Sequence, residues 1–151
     1  SGVGGFAVKR EEIKKILPHR EPMLLVDEAN LINETTAEGF YTVRGDEYFL
    51  QGHFPDNPVV PGVILCEIMA QTCCVLMGDN GNSEGKIPYY TGLNNVKFKH
   101  PVLPGDTIRM ECSLERVKKP FYFAKGTGTV NGKVCLTGEF SFALMPNKTD
   151  K

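Results

Sequence analysis

The stretch Val63–Met77 constrains this chain more than any other. It is almost wholly apolar, and besides its cysteines its only polar side chains are Glu67, Gln71 and Thr72. It is long enough for a helix, and a helix that is hydrophobic nearly all round has to be buried. The rest of the chain must therefore wrap it.

The flanking segments read as strands. Residues 107–115 alternate, with Ile108, Met110, Cys112 and Leu114 on one face and Arg109, Glu111, Ser113 and Glu115 on the other. Residues 134–144 put Val134, Leu136, Phe140, Phe142 and Leu144 on one face. This is the pattern of strands with one wet and one dry side. Asn131-Gly132 predicts a tight hairpin, and Pro104-Gly105 a type II turn. Upstream, Met23–Asn33 and Ala37–Arg44 read as two more strands, and Lys9–Leu17 as a short amphipathic helix stopped by Pro18. One buried helix among antiparallel strands predicts an α+β fold of the hot-dog layout, an antiparallel sheet wrapped around one long central helix.

The 151 residues suit one domain. We expect Ser1–Gly5 to be a cloning scar or flexible lead-in, residues 6–147 the domain, and 148–151 a tail. A net charge of −1 argues against nucleic acid as a bulk partner. No apolar run reaches membrane-span length, and no secretory signal opens the sequence. The five cysteines lie in apolar stretches without metal-ligand spacing, which predicts buried, reduced thiols and a cytoplasmic protein.

Chemistry concentrates at the entry to the apolar helix. Gly52-His53-Phe54-Pro55 and the prolines at 58 and 61 make a stiff loop that ends at Gly62. That loop carries His53. Glu67 follows on the helix, with Gln71 four residues on and on the same face. A carboxyl in an apolar helix is expected to have a raised pKa, and a base with a nearby acid can eliminate water. The helix's first amides, near Gly62, lack partners within the helix and suit a polarised carbonyl. Each residue alone also admits a structural use: a histidine in a proline-rich loop, or a glutamate meeting a buried arginine or a subunit partner. The residues by themselves do not name the reaction.

A resemblance does. Gly52-His53-Phe54-Pro55, Pro58, Pro61-Gly62-Val63, Glu67 and Met69-Ala70-Gln71 closely resemble the FabZ-type 3-hydroxyacyl-(acyl-carrier-protein) dehydratases. So do Leu17-Pro18-His19-Arg20 with Pro22 and Leu24-Leu25-Val26-Asp27 near the start, and Val96-Lys97-Phe98-Lys99 with Pro101-Val102 and Pro104-Gly105-Asp106 later on. The likeness runs from about Ile13 to Met145.

It implies dehydration of a (3R)-3-hydroxyacyl thioester on acyl carrier protein to the trans-2-enoyl product, in fatty-acid elongation, with no metal and no cofactor. His53 would take the α-proton, and Glu67 would orient or protonate the departing hydroxyl. Gly62 and Val63 would meet the thioester, Gln71 would support Glu67, and Tyr89 would gate the tunnel mouth. The resemblance also implies a homodimer with joined sheets, His53 of one chain meeting Glu67 of the other, and three such dimers in a hexamer. Lys97 and Lys99 are candidates for docking the acidic carrier protein; solvated strand ends are the plainer reading of them and of Arg116, Lys118 and Lys119. His19 and His100 read as structural. Glu28 and Ile68 depart from the family pattern. FabA-type enzymes, which also isomerise the double bond, carry Asp at the position of Glu67, so Glu67 favours dehydration alone, although isomerising FabZ-type variants with Glu exist. A hot-dog thioesterase and a non-enzymatic acyl-thioester sensor are the rival readings.

Overall fold

Helix α3, Gly62–Asp79, is the axis of the molecule. The computed structural model describes residues 7–51, 56–79 and 86–146. The expectations for Ser1–Gly5, for His53 and its loop at 52–55, and for the tail from 148 lie outside the described residues.

Strand β1 (Ala7–Lys9) leads into helix α1 (Arg10–Ile16). Strands β2 (Glu28–Leu31) and β3 (Thr36–Thr42) follow, then the single turn α2 (Tyr48–Gln51). After α3 come the long strands β4 (Lys86–Phe98), β5 (Thr107–Lys118), β6 (Phe121–Val130) and β7 (Lys133–Pro146). They form one antiparallel sheet in the order β1-β2-β3-β5-β6-β7-β4. The expected hot-dog arrangement is thus present.

Both turns have their expected geometry. Asn131 and Gly132 sit at φ 51° and 80°, as a hairpin with two left-handed central residues requires. Gly105 sits at φ 92°, and the Asp106 amide donates to the Leu103 carbonyl, closing the type II turn.

The helix is held by apolar contact. Leu65, Ile68, Met69, Cys73 and Val75 are buried with Tyr41, Ile108, Met110 and Phe140 in one core. Each large side chain buried there contributes about 1.5–3 kcal/mol. Close approach of helix to sheet needs a bare backbone at Gly39, where an added Cβ would overlap the buried Thr72 side chain.

One expectation is corrected. Cys73 on α3 and Cys112 on β5 are joined in a disulfide, with Cα atoms 5.6 Å apart. Both point into the seam where the helix lies on the sheet, so two thiols read separately as small hydrophobes meet there. Cys66, Cys74 and Cys135 are free and buried, as expected.

Candidate active site

Glu67 faces a lid made by the chain between α1 and β2. The lid is built by two long side chains reaching back to its backbone. Arg10 donates to the Leu24 carbonyl at 2.8 Å and to the Asp27 carboxylate at 2.9 Å. Arg20 donates to the carbonyls of Leu17 and His19 at 2.9 and 2.6 Å.

Gln71 ties this lid to the helix. It is fully buried. Its Oε1 accepts from the Leu25 amide at 2.8 Å, and its Nε2 donates to the Met23 carbonyl at 2.7 Å and to Glu67 Oε2 at 2.9 Å. The expectation that Gln71 supports Glu67 therefore has a direct contact behind it. His19, read from the sequence as structural, places Nε2 3.4 Å from the same Glu67 oxygen. Nothing in the spacing of Pro18-His19-Arg20 links that residue to a helix turn so much later in the chain. The contact exists only because the lid folds over α3.

These contacts correct the expected electrostatics of Glu67. Burial pushes its carboxyl up, but the hydrogen bonding it receives from His19 and Gln71 outweighs burial and holds it below the usual carboxylate range. By contrast, burial pushes the neighbouring Cys66 and Cys74 thiols and the Tyr90 phenol up, so all three stay neutral.

A cavity of about 170 Å³ opens beside the carboxyl, lined by His19, Glu67, Cys74, Tyr89, Tyr90 and Phe142. Tyr89 is half exposed on its wall. The Tyr90 hydroxyl donates to the Cys66 carbonyl, fixing β4 against the helix. Ile68 points the other way, fully into the core, and takes no part in this cavity.

Gly62 and Val63 lie elsewhere. They border a larger depression of about 480 Å³ with Leu65, Phe98, Lys99 and His100. Val63 is 76% exposed and Phe98 54%. The Phe98 ring occupies the space a Gly62 side chain would need, with ring carbons 2.8 Å from an ideal Cβ. Among the described residues, then, the helix start and Glu67 line separate depressions. Lys99 stands at the depression and Lys97 is exposed two residues earlier on β4. Glu28 is paired with Lys9 on the surface, remote in role from the carboxyl.

The sheet wrapped on a single buried helix makes this a hot-dog protein. Solved structures with that fold include the dehydratase heterocomplex ApeI:P from Xenorhabdus doucetiae, with TM-score 0.77, 23% identity, and 91% of this chain and 93% of that chain covered. The fluoroacetyl-CoA thioesterase FlK is a more distant likeness, with TM-score 0.63, 14% identity, and 74% and 85% covered. The chain belongs to the FabA-like family, whose domain model matches residues 17–139. It is 44% identical over 133 residues to the 3-hydroxyacyl-(acyl-carrier-protein) dehydratase FabZ of Clostridium perfringens (strain SM101 / Type A), covering 88% of this chain and 96% of that relative. It is 42% identical over 134 residues to the FabZ of Clostridium botulinum (strain Kyoto / Type A2), covering 88% and 93%.

Proposed function

We propose that this chain is a hydro-lyase that dehydrates 3-hydroxyacyl-(acyl-carrier-protein) to the trans-2-enoyl thioester in fatty-acid biosynthesis. The observation that carries the reading is a helix-borne carboxyl, Glu67, clamped by two donors beside a cavity, in a chain 44% identical to a FabZ dehydratase.

In the mechanism we infer, His53 removes the α-proton of the (3R)-hydroxyacyl thioester. The C–H electron pair becomes the new double bond, the C–O bond breaks, and the departing oxygen takes up the proton that His53 has just removed, so that water leaves and the imidazole is neutral again. Glu67 engages the hydroxyl. Because its carboxyl is held below the usual range, it accepts a hydrogen bond from that hydroxyl in the open site, which favours orientation over proton donation as its first task. The Gly62 amide, with Val63 beside it, polarises the thioester carbonyl, and Tyr89 gates the cavity.

A cavity of about 170 Å³ is small for an acyl chain with its thioester arm. That supports a site completed by a second chain, with His53 of one protomer serving Glu67 of the other in a homodimer, and three dimers forming a hexamer. Lys97 and Lys99, exposed near the helix start, suit docking of an acidic carrier protein. No described helix is long and apolar enough to cross a membrane; we place the enzyme with its carrier in the cytoplasm.

The test is hydration of a crotonyl thioester, followed by loss of enoyl absorbance. His53→Ala and Glu67→Gln should each lower the rate by about 10²–10⁴-fold. Wild-type turnover in either variant removes that residue from the mechanism. Release of free thiol from acyl thioesters would instead support hydrolysis. Subunit exchange between the two inactive variants should restore part of the activity, because mixed dimers then contain one intact site.

A further inference from the structure

We propose that His19 is a positioning residue for Glu67, holding one carboxylate oxygen so that the other is presented to the substrate hydroxyl. The inference rests on the dehydratase reading above and adds to it a residue that reading leaves unused.

Both polar side chains that approach the carboxyl do so at one oxygen. Gln71 Nε2 lies 2.9 Å and His19 Nε2 3.4 Å from Oε2. Oε1 has no donor among the described residues. A carboxylate clamped on one side has a fixed plane, and its second oxygen has a fixed direction, which is what an orienting group needs.

The two donors come from different elements. Gln71 sits one turn further along α3, whereas His19 belongs to the lid. The helix alone would leave Glu67 with one anchor and rotational freedom about it. The lid supplies the second anchor.

The other ring nitrogen indicates the tautomer. His19 Nδ1 is buried and has no hydrogen-bond partner among the described residues. A proton there would be a buried donor without an acceptor, which is costly. The ring with its proton on Nε2 avoids that and points the N–H at Glu67. The other titratable groups facing the carboxyl are Cys66 and Cys74 from α3 and Tyr89 and Tyr90 from β4. No other described Lys, Arg or His side chain is paired with it, so among the described residues the second anchor is His19 alone.

The experiment compares His19→Ala, His19→Gln and His19→Phe. A glutamine amide can reach the place of Nε2 and donate, and phenylalanine fills the volume without a donor. Removing the donor should lower kcat for a short crotonyl thioester by about 10- to 100-fold and leave KM within about 2-fold. His19→Gln should recover most of kcat, and His19→Phe should not.

The Glu67 carboxyl, followed by ¹³C NMR and assigned by its loss in Glu67→Gln, should titrate at higher pH in His19→Ala and His19→Phe than in the parent or His19→Gln. A residue that merely props the lid would not move that titration. If His19→Ala does not fold, the Gln and Phe variants carry the same contrast. An unmoved titration, or a His19→Phe enzyme as fast as His19→Gln, overturns the proposal. Wild-type hydration by Glu67→Gln would instead remove the role of Glu67, and the titration would still report whether His19 contacts it.

Discussion

Gln71 leaves no polar atom idle. Its oxygen takes the Leu25 amide, and its nitrogen serves both the Met23 carbonyl and Glu67. Replacing it by a leucine of similar bulk would strand two lid backbone groups, each costing about 1–3 kcal/mol. Gln71→Leu should therefore cost at least about 2 kcal/mol in urea unfolding, and it should lose turnover as well. Glu67→Gln should lose turnover while costing less stability than Gln71→Leu, because its amide oxygen can still accept from Gln71. Equal stabilities for the two variants would separate Gln71 from the lid. Glu47 makes a comparable anchor at the approach to the His53 loop. It is buried, and it accepts from the Tyr41 hydroxyl at 2.7 Å and from the amides of Arg44 and Gly45 at 2.9 and 2.8 Å. Burial pushes its carboxyl up, but these donors outweigh burial and hold it below the usual range. A carboxyl depressed by folding adds stability above its unfolded pKa, and that stability is lost as the pH falls through the lower folded value. Acid unfolding should accordingly be steeper in the parent than in Glu47→Gln, with the difference in urea midpoint shrinking below about pH 4. A constant difference down to pH 3 would remove Glu47 from the acid response.

Elements differed in how plainly the sequence announced them. The apolar run read as 63–77 is the helix Gly62–Asp79, and the alternation over 107–115 extends to Lys118. Both carry a strong period that burial enforces. The expected first strand, Met23–Asn33, shrinks to Glu28–Leu31, because residues 23–27 spend their backbone groups on Gln71, Arg10 and the Phe40 carbonyl instead of on a ladder. Strand β4 is barely alternating, since register shifts at Tyr90–Gly92 and Asn94–Lys97 break its period. The disulfide was hidden for a different reason: cysteines 39 residues apart meet only through the packing of α3 on β5. Two predictions belong at this scale. Alkylation of the denatured, unreduced protein should label Cys66, Cys74 and Cys135 and spare Cys73 and Cys112, with full labelling only after reduction; five labels without reductant would refute the bond. Gly39→Ala should destabilise by about 1–3 kcal/mol, because the β-branched Thr72 opposite is packed into the helix and has little room to retreat. A variant as stable as the parent would mean that helix and sheet can separate there at no cost.

At the scale of the whole molecule, one edge is unfinished. Strand β4 is long, pairs on one side with β7, and lies at the end of the sheet. An extended strand with a free edge invites pairing unless charge or bulges discourage it. Here Leu93, Phe98 and Tyr89 are each about half exposed along it, so apolar surface and backbone donors are offered together. This is the part of the candidate site that the sequence exposed least. The residues implied for the thioester carbonyl and for the hydroxyl, Gly62 and Glu67, lie on one helix yet line separate depressions among the described residues. If the proposed dimer joins its sheets along this free edge, a second copy would cover it. In a two-fold interface each substitution acts twice. Burying Leu93 is worth about 1.5–3 kcal/mol per copy, so Leu93→Arg should weaken the dimer by about 3–6 kcal/mol, or about 10²–10⁴-fold in dissociation constant. Sedimentation at micromolar concentration should then show monomer with unchanged circular dichroism, and hydration of the crotonyl thioester should fall in step with the loss of dimer. Raising the protein concentration should recover both together. A monomeric Leu93→Arg that keeps the parent's turnover would mean that each chain carries a complete site, and the pairing of His53 with a second chain's Glu67 would have to be abandoned.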